Sequence, residues 1–167
     1  MTTSRALPAV AVAAGLLVVD QASKLWAEST LTGRPPVPLV GEFLSLRLLY
    51  NPGAAFSIGA DSTWIFTIVA GVAVVVLGAT VARVRSAPWA VTLGLLLGGA
   101  TTHLLDRLFR APGLARGHVV DFIDYNGWFV GNVADIALVG GAALAVLLTL
   151  RGIEMDGSHT RATNRST

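Results

Sequence analysis

Asp121 and Asp135 are the residues of this chain best suited to do chemistry. Asp121 lies in Val119-Val120-Asp121-Phe122-Ile123, and Asp135 in Asn132-Val133-Ala134-Asp135-Ile136, a few residues into an apolar stretch that runs on to Leu150. A carboxylate beside hydrocarbon is costly, so an ionisable group there marks a functional site by default. Two carboxylates a few Å apart cannot both ionise easily, and one keeps its proton near neutral pH. The ionised partner takes a proton from water; the protonated one polarises a carbonyl and then protonates a leaving amine. That is peptide hydrolysis without metal or cofactor. Spacing alone leaves a plainer reading open, with Asp121 a loop residue and Asp135 a helix-packing or proton-relay residue.

The elements that must hold this pair are membrane spans. The chain has 167 residues, 53% hydrophobic and 13% charged, with a mean hydropathy of +0.66. A soluble domain carries roughly twice that share of charge. Four apolar segments, residues 6–26, 64–84, 88–105 and 128–150, give one polytopic domain over residues 1–150, each near the ~20 residues a bilayer core requires. Arg5 and the apolar run after it also resemble a signal peptide with Ala11-Val12-Ala13 as cleavage site. Asp20 and Lys24 argue for a retained helix, because at i and i+4 they can pair on one face. Cysteine is absent, which excludes disulfides and thiolate chemistry. The basic residues are scattered, without a nucleic-acid footprint.

Residues 28–63 and 108–126 form loops on one side, and the short link 83–87 lies on the other. Residues 43–50 favour extended structure, and Asn51-Pro52-Gly53 is a turn signal. The tail from Arg151 is polar and expected to be disordered. The basic residues divide evenly between the two sides, but Arg83 and Arg85 occupy the short link, where the positive-inside rule is most reliable. Both termini are therefore expected in the cytoplasm and both aspartates outside. With helix four starting near Trp128, Asp135 falls about 10 Å along it. Asn132 is then on its face, able to bond its carboxylate, and Asp121 folds back over the mouth. Gly94 and Gly98 form a Gly-x-x-x-Gly, read as close helix packing inside one monomer.

Other constellations compete. Asp20–Lys24 and Asp106-Arg107 read either as interfacial ion pairs or as groups for an anionic headgroup or a peptide carbonyl. Lys24, the only lysine, could serve a Ser–Lys dyad with Ser57 or Ser45. His103, Asp106 and His118 could bind a metal only if the fold brings them together. The intramembrane Asp, Asn, Lys and Arg residues also fit a small proton- or ion-coupled transporter, although no inverted repeat relates the halves.

Taken together, the motifs resemble the bacterial lipoprotein signal peptidases (signal peptidase II). The resemblance runs from Asp20-Gln21-Ala22-Ser23-Lys24, through residues 51–57 (Asn-Pro-Gly-Ala-Ala-Phe-Ser), Gly98-Gly99-Ala100 with Asp106-Arg107, and Val119-Val120-Asp121-Phe122, to Asn132-Val133-Ala134-Asp135. It implies four transmembrane helices with a small extracytoplasmic β-cradle and a short surface helix. It also implies a metal-independent aspartic endopeptidase of the bacterial cytoplasmic membrane, needing no cofactor. Such an enzyme removes the signal peptide from diacylglyceryl-modified prolipoproteins, cutting before the lipidated cysteine. Asp121 and Asp135 would be catalytic. Asp20, Lys24, Asn51, Gly53, His103, Asp106, Arg107, Asn132 and Ala134 would line or support the substrate site. The chain departs from the pattern at Thr102 and His103, where the family has Gly and Asn, and at Gly131, where an aromatic is usual. Those departures raise a further alternative, a lipoprotein-binding paralogue with altered or lost activity.

Overall fold

In the computed structural model, residues 4–53 and 62–158 are described. Four helices carry the chain: α1 (Ala6–Leu31), α2 (Thr63–Val81), α3 (Ala87–Phe109) and α4 (Val133–Leu150). All four are long and apolar enough to cross a membrane. At 1.5 Å per residue they run from about 27 to about 39 Å, from just under to well over a hydrocarbon core of about 30 Å. Strands β1 (Val37–Val40), β2 (Leu44–Asn51), β3 (Val119–Tyr125) and β4 (Phe129–Gly131) make one antiparallel sheet in the order β1-β2-β3-β4. Among the described residues there is no short surface helix.

Helix α3 is the centre of the bundle and packs on α1, α2 and α4. It buries 50% of its apolar window, whereas α2 buries 11% and turns Ile65, Ile68, Val69 and Val72 outward. The helix opens with Pro88 in its first turn, where a missing N–H costs nothing. Glycines let its neighbours close in. A Cβ on Gly94 would stand 2.6 Å from the Ala9 carbonyl oxygen, and one on Gly98 would stand 2.9 Å from that of Ala13. The Gly-x-x-x-Gly therefore serves packing within the monomer.

Two apolar clusters mark opposite ends of the bundle. Ala9, Val81, Val84, Trp89, Leu93 and Leu148 close the end that holds the start of α1, the end of α4 and the 82–86 link. Residues 151–158 are ordered there, which corrects the expected disorder from Arg151 over this stretch. The backbone N–H groups of Arg85 and Ser86 both donate to the Met155 carbonyl, and the Trp89 indole donates to that of Ile153 at 2.7 Å. Polar composition suggested disorder, but these backbone groups have partners. Residues 159–167 lie outside the described residues. At the other end Ala27, Leu31 and Phe122 seat the sheet on α1.

Three boundaries differ from the sequence expectation. Helices α1 and α3 continue through their polar last turns to Leu31 and Phe109, because partners inside the bundle satisfy those charges. Helix α4 begins at Val133, not near Trp128. The segment read as its first turn is instead β4, closing a hairpin with β3. The hairpin turns at Asn126 (φ 55°) and Gly127 (φ 74°), and the Trp128 N–H donates to the Tyr125 carbonyl. Positive φ at both central residues is the turn whose twist suits a hairpin.

Candidate active site

The site is built where the sheet meets the head of α4. Pairing of β2 with β3 sets Asn51 opposite Val119, and Asp121, two residues along, shares that face. Phe122 points the other way, into the cluster on α1. The β3–β4 hairpin then delivers the chain at Gly131 straight into Asn132, the N-cap of α4.

Asn132 links the two aspartates. Its Oδ1 accepts the Asp135 backbone N–H at 3.1 Å, while its own backbone N–H donates to Asp135 Oδ2 at 2.8 Å, a reciprocal capping box. With Oδ1 so occupied, the amide must aim Nδ2 outward, where it donates to Asp121 Oδ1 at 2.7 Å. Asn51 repeats the logic on the other oxygen. Its Oδ1 accepts the Gly53 N–H, and its Nδ2 donates to Asp121 Oδ2 at 3.0 Å. Asp121 is 2% exposed. Burial, and then the charge of Asp135, push its carboxyl up to about 6, against the pull of the Asn51 and Asn132 donors. Asp135 sits in the first turn of α4, where the helix dipole favours an anion. Its remaining oxygen, Oδ1, lies 3.2 Å from His103 Nε2.

Both aspartates face a cavity of about 210 Å³, together with Asn51, Gly53, His103, Arg107 and the apolar Phe66, Ala70, Val119 and Phe129. Arg107 gives its guanidinium to main-chain carbonyls, those of Asn51 and Pro52 at 3.0 Å, Gly117 at 3.1 Å, and Gly53. The planar fork spreads its donors over several acceptors, and so fixes the exit of β2 at the cavity wall. Phe66 stacks against it at 5.7 Å. Of the two readings of Asp106-Arg107, the ion pair does not form, since successive helix residues point about 100° apart, and Arg107 is on peptide carbonyls, here the protein's own.

Behind the cavity lies a buried ionic network. Lys24 Nζ stands 2.6 Å from Asp20 and 2.8 Å from Asp106, all three at most 1% exposed. Asp20 accepts the Ala134 N–H at 2.9 Å, satisfying a donor that the start of α4 leaves free. Asp106 also accepts from Gln21 at 3.0 Å and Arg110 at 2.8 Å, and Arg110 reaches Glu28 at 2.8 Å. The network ties α1, α3 and the head of α4 into one frame.

The arrangement is a pair of coupled carboxylates, one buried and one partly exposed, held by amide donors at the end of four membrane-length helices. It can activate water against a carbonyl. A family model described as "Signal peptidase (SPase) II" matches residues 12–151. The chain belongs to the signal peptidase II family. It is therefore a multi-pass aspartic endopeptidase. The lipoprotein signal peptidase of Rhodococcus jostii (strain RHA1) is 46% identical over 160 residues, 95% of this chain and 80% of that protein. That of Streptomyces griseus is 47% identical over 153 residues, 92% of this chain and 77% of that one. Two solved structures, each described as a bacterial membrane enzyme, superpose with TM-scores of 0.72 and 0.73. They are 26% and 25% identical and cover 85% and 86% of this chain, and 87% and 92% of their own.

The peptidase gathers Asp121, Asp135, Asn51, Gly53, His103 and Arg107 around one cavity, with Asn132 between the aspartates. Asp20, Lys24, Asp106 and Ala134 do not line it; they form its brace. Two expectations for Asp135 are corrected. It lies in the first turn of α4, not about 10 Å down the helix, and the Asn132 side chain bonds Asp121 instead of the Asp135 carboxylate. Lys24 is committed to two carboxylates and Ser45 lies opposite Asp124 in the sheet, so those two do not form a Ser–Lys dyad. Ser57 and the 54–57 part of its motif lie outside the described residues. His103, Asp106 and His118 are not brought together: His103 faces Asp135, Asp106 faces Lys24, and His118 lines a separate cavity with Glu28, Tyr50 and Arg110. Sequence reasoning missed Phe66, Ala70 and Phe129 as cavity walls, which no local pattern marks. It also missed two signals that were present, the Asn126-Gly127 hairpin turn and the Asn132-x-x-Asp135 cap.

Proposed function

We propose that Asp121 and Asp135 are the catalytic pair, and that the enzyme cleaves prolipoproteins just before a diacylglyceryl-modified cysteine. The observation that carries this reading is the shared cavity with its unequal carboxylates, Asp121 buried and raised to about 6, Asp135 24% exposed at the N-terminus of α4 with His103 beside it. Asp135 as carboxylate takes a proton from water while the water oxygen bonds to the scissile carbonyl carbon. Asp121, holding its proton, donates to the carbonyl oxygen. Collapse of the tetrahedral intermediate breaks the C–N bond: Asp135 passes its proton to the leaving nitrogen, a hydroxyl of the intermediate returns one to Asp121, and the products are a carboxylic acid and a free amine, with the pair as it began.

Arg107, Asn51 and Gly53 line the path of the substrate backbone, and the frame of Asp20, Lys24, Asp106 and Ala134 holds the carboxylates in register. A lipid-modified substrate suits the site. Helix α2, whose outer face is Ile65, Ile68, Val69 and Val72, also supplies Phe66 and Ala70 to the cavity, so one wall separates peptide from acyl chains. With Arg83 and Arg85 at the end opposite the aspartates, the termini face the cytoplasm and the site opens outward.

The test compares cleavage of a diacylglyceryl-modified precursor with its unmodified form, using purified wild type, Asp121→Asn and Asp135→Asn. The modified precursor should be cut by wild type alone. Undiminished cleavage by either variant would remove the pair from the mechanism. Equal cleavage of the two precursors would remove the lipid from the specificity.

A further inference from the structure

We propose that His103 is a positioning residue that divides the protons within the aspartate pair, fixing Asp135 as the carboxylate that activates water and leaving Asp121 as the proton carrier. This deepens the reading of Asp121 and Asp135 as the catalytic pair and rests on it.

The geometry is unequal at the two carboxyls. His103 Nε2 is 3.2 Å from Asp135 Oδ1, and the imidazole itself is only 20% exposed, on the wall of the same cavity. Asp135 Oδ2 is already taken by the Asn132 N–H. One oxygen of Asp135 therefore accepts a backbone N–H, and the other faces, at 3.2 Å, an imidazole able to carry positive charge. A carboxylate is an acceptor only, and a backbone N–H, a nearby imidazole and a helix N-terminus together fit the anion. Asp121 also has two donors, but both are neutral amides, and it is far more buried. When one proton is shared by the pair, it belongs on Asp121.

The charged groups that share this cavity with His103 are few. Asp135 comes from α4 and Asp121 from β3, while Arg107 stands one turn further along α3 and is committed to main-chain carbonyls. Helix α2 contributes Phe66 and Ala70, which do not titrate. On α1, Lys24 and Asp20 are held by Asp106 and the Ala134 N–H and do not line the cavity. Besides the aspartates and Arg107, the imidazole is thus the one ionisable side chain that lines the cavity among the described residues. Asparagine, the residue that the sequence pattern expects at this position, could donate but not acquire charge.

The experiment is the pH dependence of kcat/KM on the diacylglyceryl-modified precursor for wild type, His103→Ala and His103→Gln, each normalised to its own maximum. Activity needs Asp135 ionised, so the acid limb reports how well the carboxylate is held. Loss of the donor in His103→Ala should move that limb up by about one pH unit, leaving roughly a tenfold deficit on the acid side that closes toward alkaline pH. His103→Gln keeps an N–H of similar reach and should return most of the limb. An acid limb in His103→Ala that superimposes on the wild type would overturn the inference, whatever the maximal rate. So would a limb in His103→Gln displaced as far as in His103→Ala, because donation would then not be the cause. Thermal unfolding midpoints of both variants near the wild-type value exclude a folding defect as the source. Cleavage retained by Asp135→Asn would instead remove the catalytic pair itself, an outcome separate from any His103 result.

Discussion

Replacing Asp121 by Asn should make the enzyme inactive and, at alkaline pH, more stable. The reasoning starts from its carboxyl, which is 2% exposed and raised from 3.8 to about 6 by burial and by Asp135. Between those values the folded state binds more protons than the unfolded state, so stability falls as pH rises through that window. Each pH unit is worth about 1.36 kcal/mol, so above pH 6 the ionised group costs the fold roughly 3 kcal/mol. An amide removes that cost. It brings a smaller one, because Asn51 and Asn132 both present Nδ2 donors and Asn offers a single acceptor oxygen. One bond is lost and two donors face each other, at about 1–2 kcal/mol. The net expectation for Asp121→Asn is a gain of about 1–2 kcal/mol at pH 8 and a loss of about 1 kcal/mol at pH 4, where the folded carboxyl is protonated and the unfolded one about half ionised. For a chain of this length that is a change in Tm of about 2–8 °C. Thermal unfolding in detergent at both pH values measures it. A difference in Tm of the same sign and size at pH 4 and pH 8 would refute the account of Asp121 as a group held against its ionisation. The same preparations should cleave precursor at least about 100-fold more slowly, the low end of what one general acid contributes.

Three further perturbations test the frame around the pair. Lys24→Met leaves Asp20 and Asp106 buried without their shared cation, and should destabilise the protein by about 3–5 kcal/mol, read as a fall in Tm and in the yield of folded protein. Gly94→Leu drives side-chain atoms into the Ala9 carbonyl, which a Cβ alone would approach to 2.6 Å; prising α1 from α3 should cost about 1–3 kcal/mol in the same assay. Arg107→Lys keeps the charge but cannot reach the carbonyls of Asn51, Pro52, Gly53 and Gly117 together. The β2 exit should loosen, and kcat/KM should fall by about 10–100-fold with a smaller change in Tm.

Much of the architecture was legible because lipid leaves few choices. Unbroken apolar runs gave four spans, and the cost of charge in hydrocarbon singled out Asp121, Asp135, Asp20 and Lys24. The i, i+4 rule found the Asp20–Lys24 pair. It could not find Asp106 on the same ammonium, since that partner arrives from another helix through packing. The head of α4 was misread for a local reason. Residues 128–131 are apolar and continue the hydrophobic run, so composition extended the helix, whereas the Asn126-Gly127 turn makes Phe129–Gly131 a strand. That correction moves Asp135 from mid-helix to the first turn and turns Asn132 from a neighbour of one aspartate into the bridge between two.

The two departures within the third motif, Thr102 and His103, also separate once α3 is seen in three dimensions. Thr102 and His103 are adjacent in sequence, and so are Asp106 and Arg107, but each step around a helix is about 100°. Residues four apart share a face, so Thr102 goes with Asp106 and His103 with Arg107. The first pair faces the packed interior. Thr102 is fully buried, its hydroxyl donates to the Gly99 carbonyl at 3.2 Å, and Asp106 completes the network with Lys24. The second pair faces the cavity. Threonine at 102 is therefore a matter of helix packing, already accommodated with its hydroxyl satisfied, and does not touch the carboxylates. Only His103 does, through Asp135. What looks like one altered motif is two substitutions on different faces, and the chemistry of the pair is exposed to just one of them.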